Sequence, residues 1–324
     1  MSAANPTRAR PGEGSRRRTS GPVAVVVGAS RGLGLLIAAE LIGRGFAVAV
    51  AARDADELDR ATQRLGSAAH AYVCDVRDRD QVVDLVERVE ADLGPIEVSI
   101  HVAGIISVGP AADVTLDHFD DAIATMLRGP IELAWAVLPG MRERSRGRIG
   151  TVASVGGMVA PPHLLPYATA KFGAVGFSDG LAAELAGTGI TATTIVPGLM
   201  RTGSHLRAEF FGDAAREYAW FGPAASLPLV SMDATRAARV IVDGVLAGKP
   251  FVSTTPLTWL AIRFRGLAPA TTTRLMKVVA RLLPSDTGQS DPVPGSQARG
   301  DLDSELVNTL TTLGDRAASH NNQV

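Results

Sequence analysis

Ser154, Tyr167 and Lys171 occur in that order, and the last two are spaced Tyr-x-x-x-Lys at the start of a helical stretch. A separation of four puts both side chains on one helix face. An ammonium beside a phenol favours the phenolate, so a group whose ordinary pKa is about 10 can exchange a proton nearer neutrality. Such a pair is an acid/base waiting for a substrate oxygen. Taken alone, a Tyr-x-x-x-Lys is more often a surface tyrosine resting on a lysine stem, so the odds depend on what precedes it.

Upstream, the apolar run Val23 to Val27 leads into Gly28-Ala29-Ser30-Arg31-Gly32-Leu33-Gly34, and an amphipathic stretch follows at once. Glycines let backbone approach a diphosphate, and the unpaired N–H groups of a helix start stabilise it. A glycine pattern between the first strand and the first helix of an alternating chain is the context that dinucleotide binding requires. At the end of the second strand an NAD site would carry an acid for the ribose 2'-hydroxyl, but here Ala52 is followed by Arg53. With Arg31 in the loop, two guanidinium groups can meet a 2'-phosphate, which favours NADP(H) over NAD(H).

Short Val/Ala/Ile-rich runs alternate with longer amphipathic ones, as in a parallel sheet covered by helices on both faces. Strands are expected at Val23–Val27, Ala47–Ala51, Ala71–Val73, Val98–Val102, Arg148–Val152, Thr191–Val196 and Phe251–Ser253. Helices are expected at Gly32–Arg44, Ala55–Leu65, Arg79–Leu93, Leu116–Arg144, Pro166–Ala186 and Asp233–Leu246. The fold class is α/β, a doubly wound Rossmann-type sheet of seven strands over residues 21–255. Residues 1–20 and 285–324 are polar and poor in aromatics, and both are expected to be disordered. Between Leu199 and Ser231 an insert carries Phe210, Phe211, Tyr218, Trp220 and Phe221, as packing aromatics or as a substrate lining. Residues 256–284 are apolar and dotted with arginines, and Pro269 divides them into two short helices. For this amphipathic extension, packing on its own domain or a second subunit is favoured over contact with a membrane surface.

The formal net charge is −1, so no general attraction to nucleic acid is present and a small molecule is the expected substrate. Cys74 is the only cysteine, which excludes an internal disulfide and suits a reducing, cytoplasmic setting. The six histidines show no metal-ligand spacing, and no metal is expected.

With these pieces in order, residues 22 to 253 resemble the classical short-chain dehydrogenase/reductase superfamily. Its glycine loop is matched from Val27-Gly28 to Gly34, and Asp75-Val76 looks like its contact to the adenine. Ala103-Gly104, Ser154, Tyr167, Lys171, Pro197-Gly198 and Thr202 match its later motifs. The resemblance implies an oxidoreductase that moves hydride between cofactor and a carbonyl/alcohol pair, probed by Tyr167 as acid/base, Lys171 beside it and Ser154 on the substrate oxygen. It implies cofactor contacts from Gly28, Ser30, Arg31, Gly32, Leu33, Gly34, Arg53, Asp75, Val76, Ala103, Gly104, Tyr167, Lys171, Pro197, Gly198 and Thr202. It also implies a homo-oligomer paired through the two long helices. Two positions depart from the pattern: His101-Val102 stands where the family has two asparagines, and Met126 where it has the asparagine of its proton relay. A thioether is a weak acceptor and no donor, so a cofactor-binding regulatory protein with weak or no turnover is the alternative.

Overall fold

The computed structural model describes residues 21–228 and 231–323. Seven parallel strands form the central sheet: β1 (Val23–Val27), β2 (Ala47–Ala52), β3 (Ala69–Val73), β4 (Ile96–His101), β5 (Gly147–Val152), β6 (Ile190–Val196) and β7 (Phe251–Ser253). Their spatial order is 3-2-1-4-5-6-7, so the chain reverses direction across the sheet between β1 and β4. The fully buried valines of β1 explain why this strand lies at the centre, since only a strand covered on both faces can be apolar throughout.

Helices α1 (Gly32–Gly43), α2 (Ala55–Leu65), α3 (Arg79–Asp92), α4 (Leu116–Ile123), α5 (Gly129–Glu143), α6 (Leu165–Glu184), α7 (Ala214–Ser226) and α8 (Ala234–Leu246) follow in order. One apolar layer joins Ile37 of α1 and Ile241 of α8 to Val26 and Val50 of the sheet. The opposite layer joins Leu85 of α3, Leu133 of α5 and Leu181 of α6 to Val25 and Ile149. The expected α/β sandwich is therefore present, with helices on both faces.

The expected single helix Leu116–Arg144 is instead interrupted by a π-helical turn, Ala124–Arg128, between α4 and α5. An extra residue in the i→i−4 ladder widens one turn, and the apolar pattern runs through it without a break in composition.

Beyond the sheet come α9 (Pro256–Leu267), α10 (Pro269–Ala280), α11 (Gly295–Leu302) and α12 (Glu305–His320). Residues 285–323 are ordered, which corrects the expectation of a disordered tail. Mean composition hides a stripe of small and apolar residues, Val307, Thr311, Gly314 and Ala318, that α12 buries against α7. Val293–Pro294 also pairs with Glu209–Phe210, which pairs in turn with Ser107–Val108. The insert and the tail thus share one small core of Phe210, Tyr218, Phe221, Ala298 and Val307 above the sheet. The expected disordered segment 1–20 lies outside the described residues. No helix among the described residues is long and apolar enough to cross a membrane.

Candidate active site

A cavity of about 780 Å³ opens at the carboxyl ends of the strands, where the sheet order reverses. Gly28, Ser30, Arg31, Gly32, Leu33, Gly34, Arg53, Asp75, Val76, Ala103, Gly104, Ser154, Tyr167, Lys171, Pro197, Gly198 and Thr202 all line it. The sequence-predicted residues, drawn from six strand ends and from α6, are thus brought together.

The glycine loop is shaped by close backbone approach. Gly28 adopts a φ of +82°, and a Cβ there would overlap the Ala103 amide nitrogen. A Cβ at Gly34 would overlap the Gly28 carbonyl oxygen. Ala103 N in turn donates to Val27 O at 3.0 Å, which ties the Ala103-Gly104 turn to the end of β1. Helix α1 begins with no side-chain cap on its N-terminal N–H groups, the arrangement that leaves donors for an anion.

Around the loop stand charges that the sequence pattern did not reveal. Glu57 is buried, accepts from Ser30 Oγ at 3.0 Å, and binds the Arg31 guanidinium through the same oxygen. Its other oxygen lies 3.2 Å from Arg207 Nη2. Arg53 is exposed on the cavity wall and enters no ion pair among the described residues. Asp75 also lines the cavity, and hydrogen bonding from Arg77 holds its carboxyl below the usual range. It is not the cap of α3: that place belongs to Asp78, which accepts from Asp80 N and Gln81 N.

The chain's far end also reaches this loop. Gly32 N donates to Asn321 O at 2.7 Å, and Asn322 Nδ2 donates to Ser30 O at 2.8 Å. Arg207 Nε donates to Gln323 O at 2.7 Å, and the Gln323 side chain lines the cavity. Arg207, Glu57 and residues 321–323 carry no motif, and only the fold brings them to residues 28–34.

Across the cavity, Ser154 follows β5 and caps a short 3-10 turn, with Gly156 N donating to its Oγ at 3.0 Å. Its hydroxyl also stands beside the Tyr167 side chain, since a Cβ at Gly156 would lie 3.5 Å from Ser154 Oγ and 3.1 Å from the Tyr167 ring. Burial pushes the phenol pKa up, and the nearby Ser154 hydroxyl opposes this. The expected depression by Lys171 is absent: Lys171 Nζ lies 5.9 Å from the Tyr167 ring centroid and donates to Val152 O at 2.7 Å. Burial lowers the Lys171 ammonium to about 8. Near neutral pH, then, the phenol keeps its proton and the ammonium keeps most of its charge.

Met126 is buried in the π turn, its Sδ 3.3 Å from where a Cβ at Gly104 would sit. His101 is buried beneath the same turn, its Nε2 has no partner, and burial followed by the Lys171 charge lowers it to about 3. The ring therefore stays neutral. Much of the remaining wall is apolar, with Ile105, Ile106, Leu164, Leu199, Met200 and Phe221. Of the insert's aromatics only Phe221 reaches the cavity, while Phe210, Phe211 and Tyr218 are fully buried. No cluster of metal-ligating side chains occurs among the described residues.

A family model described as short chain dehydrogenase matches residues 22–209. A putative ketoacyl reductase of Streptomyces coelicolor is 38% identical over 185 residues, 56% of this chain and 71% of the relative. The 3-oxoacyl-(acyl-carrier-protein) reductase of Escherichia coli strain K12 is 32% identical over 182 residues, 56% of this chain and 75% of the relative. Among solved structures, an actinorhodin polyketide ketoreductase variant with NADPH aligns with a TM-score of 0.65 at 30% identity, over 73% of this chain and 97% of that one.

Proposed function

This chain belongs to the short chain dehydrogenase family, and from that premise we propose an NADP(H)-dependent oxidoreductase that interconverts an apolar ketone and its alcohol through Ser154, Tyr167 and Lys171. The observation that carries this reading is the shared cavity, with the Ser154, Tyr167 and Lys171 side chains on one wall and the glycine loop on another.

The residues fit a dinucleotide. Bare backbone at Gly28 and Gly34 and the uncapped start of α1 suit a diphosphate, and Asp75 suits an adenine amino group. Arg53 is the guanidinium left open to a 2'-phosphate, since Arg31 is already engaged by Glu57. Seating a diphosphate on the Gly32 N–H requires the Asn321 carbonyl to leave it. Bound in this cradle, the dinucleotide supplies or accepts the hydride.

The chain's own residues handle the proton. In reduction, Tyr167 gives its phenolic proton to the carbonyl oxygen, and its burial-raised pKa keeps it protonated until then. Ser154 Oγ donates a hydrogen bond to the same oxygen as negative charge develops there. The Lys171 ammonium, 5.9 Å from the Tyr167 ring centroid, lowers the cost of the resulting phenolate by charge. The apolar wall excludes water and fits an acyl chain, and the relatives named as ketoacyl reductases support a ketoacyl substrate. Pairing of two copies through α5 and α6 agrees with Trp135 and Phe172, which stand exposed on those helices.

Oxidation of NADPH with a panel of β-ketoacyl thioesters tests the reading. Tyr167→Phe is expected to cut turnover at least about 100-fold while NADPH still binds. Binding without turnover in the wild type, unchanged by Tyr167→Phe, would point to a regulatory nucleotide binder instead.

A further inference from the structure

We propose that the α9–α10 hairpin is a docking surface for an anionic lipid bilayer. The inference does not depend on the reaction assigned to the cavity. In α9, Leu257, Leu260, Phe264 and Leu267 recur at intervals of three and four residues, which makes one helical stripe. All four are exposed, Leu267 at 87%. In α10 and the turn after it, Leu275, Val278, Val279 and Leu282 repeat the pattern, and all four are again exposed. Composition alone points to packing of this segment on the chain's own domain or on a second subunit. The structure instead leaves both stripes bare, because the inner side of the hairpin is made by Thr258, Thr272 and Ile262.

Charge identifies the partner. Arg263, Arg265, Arg274, Lys277 and Arg281 lie within the hairpin, and no Asp or Glu occurs anywhere from residue 244 to residue 285. Arg274, Lys277 and Arg281 are all exposed and run beside the α10 stripe. An exposed tryptophan, Trp259, carries the Arg263 guanidinium 4.9 Å from its ring centroid, an amphipathic pair suited to a headgroup layer. A second copy of this chain fits poorly, since two-fold pairing of this face brings the cations of both copies together with no acid between them. A bilayer with anionic headgroups meets both features, taking the apolar side chains below and the cations at its surface. Each helix has 12 residues and Pro269 separates them, so the hairpin rests on the membrane and does not span it.

The hairpin is also fixed to the cavity rim. A Cβ at Gly198 would overlap Thr258 Oγ1, and Ile262 packs against the cluster of Ala153, Val175 and Val196. Docking therefore sets the mouth of the cavity close to the lipid surface.

Co-sedimentation of the full-length protein with vesicles tests the proposal, using phosphatidylcholine alone and phosphatidylcholine mixed with phosphatidylglycerol. Binding is expected to the anionic vesicles and to weaken as salt is raised. The triple change Arg274→Gln, Lys277→Gln, Arg281→Gln is expected to weaken it about 100-fold. Leu260→Glu with Phe264→Glu should abolish it, and because these positions are exposed an unchanged melting temperature shows that the fold survives. Absence of binding to anionic vesicles at low salt would overturn the proposal. So would a concentration-dependent dimer that is lost in the Leu260→Glu, Phe264→Glu variant, which would assign the face to a second copy.

Discussion

Lys171 is buried with the Val152 carbonyl as its hydrogen-bond acceptor, and desolvation holds its ammonium at about 8. Its ordinary value in an unfolded chain is 10.5, so the folded state binds its proton less well and burial costs stability below about pH 8. That cost fades as pH rises from about 8 toward 10.5. Relative to Lys171→Met, the wild type should therefore gain roughly 2–3 kcal/mol of unfolding free energy between pH 7 and pH 10, read by denaturant titration. If the charged form is what supports Tyr167, kcat/KM for carbonyl reduction should decline above about pH 8, and a flat profile up to pH 10 contradicts it. Arg53→Ala should weaken NADPH binding about tenfold or more and leave NADH nearly unchanged, whereas equal losses for both would remove the 2'-phosphate assignment. At this scale the sequence was informative: residue types and spacing located the cavity wall, because each motif residue serves a local backbone need as well as a ligand. It could not show that Glu57 engages Arg31, because a glutamate in the first turn of a helix, three residues after a capping aspartate, has no feature to mark it as buried.

The elements of the sheet were legible because periodicity reports burial. The π turn at Ala124–Arg128 was not, because Ala, Met and Leu continue the apolar pattern straight through the widened turn. Helix α12 was missed for the opposite reason. Its contact with α7 uses Gly314, where a Cβ would overlap Ser226 Oγ, so close approach of backbones replaces large apolar residues. Gly314→Ala should cost about 1–3 kcal/mol and raise hydrogen exchange in α7 and α12 together. Exchange confined to α12 would mean that the two helices do not open as a unit. A buried carboxyl group secures the other side of α7: Glu217 accepts from Trp220 Nε1 at 2.8 Å and meets His163 Nδ1 at 2.7 Å. Replacing Glu217 by Ala leaves both partners without that acceptor and should destabilise the protein by about 1–3 kcal/mol, measured by thermal or denaturant unfolding.

Across the whole molecule, hydrogen bonds join Ser30 to Asn322 and Gly32 to Asn321, linking positions nearly 300 residues apart in the chain. No local pattern encodes such a closure; it follows from where α12 delivers the chain once it has packed on α7. One backbone donor, Gly32 N–H, is then claimed both by the protein's own Asn321 carbonyl and by any diphosphate entering the loop. Removal of residues 321–324 should tighten NADPH binding about tenfold in a fluorescence titration, and weaker binding would instead make the tail a clasp over the cofactor. A seated tail acts as a concentration threshold. If it is seated in nine molecules of every ten, the measured dissociation constant is about tenfold larger than that of the open cradle. Cofactor supply, and not the ketone alone, would then decide how many molecules are competent at any moment.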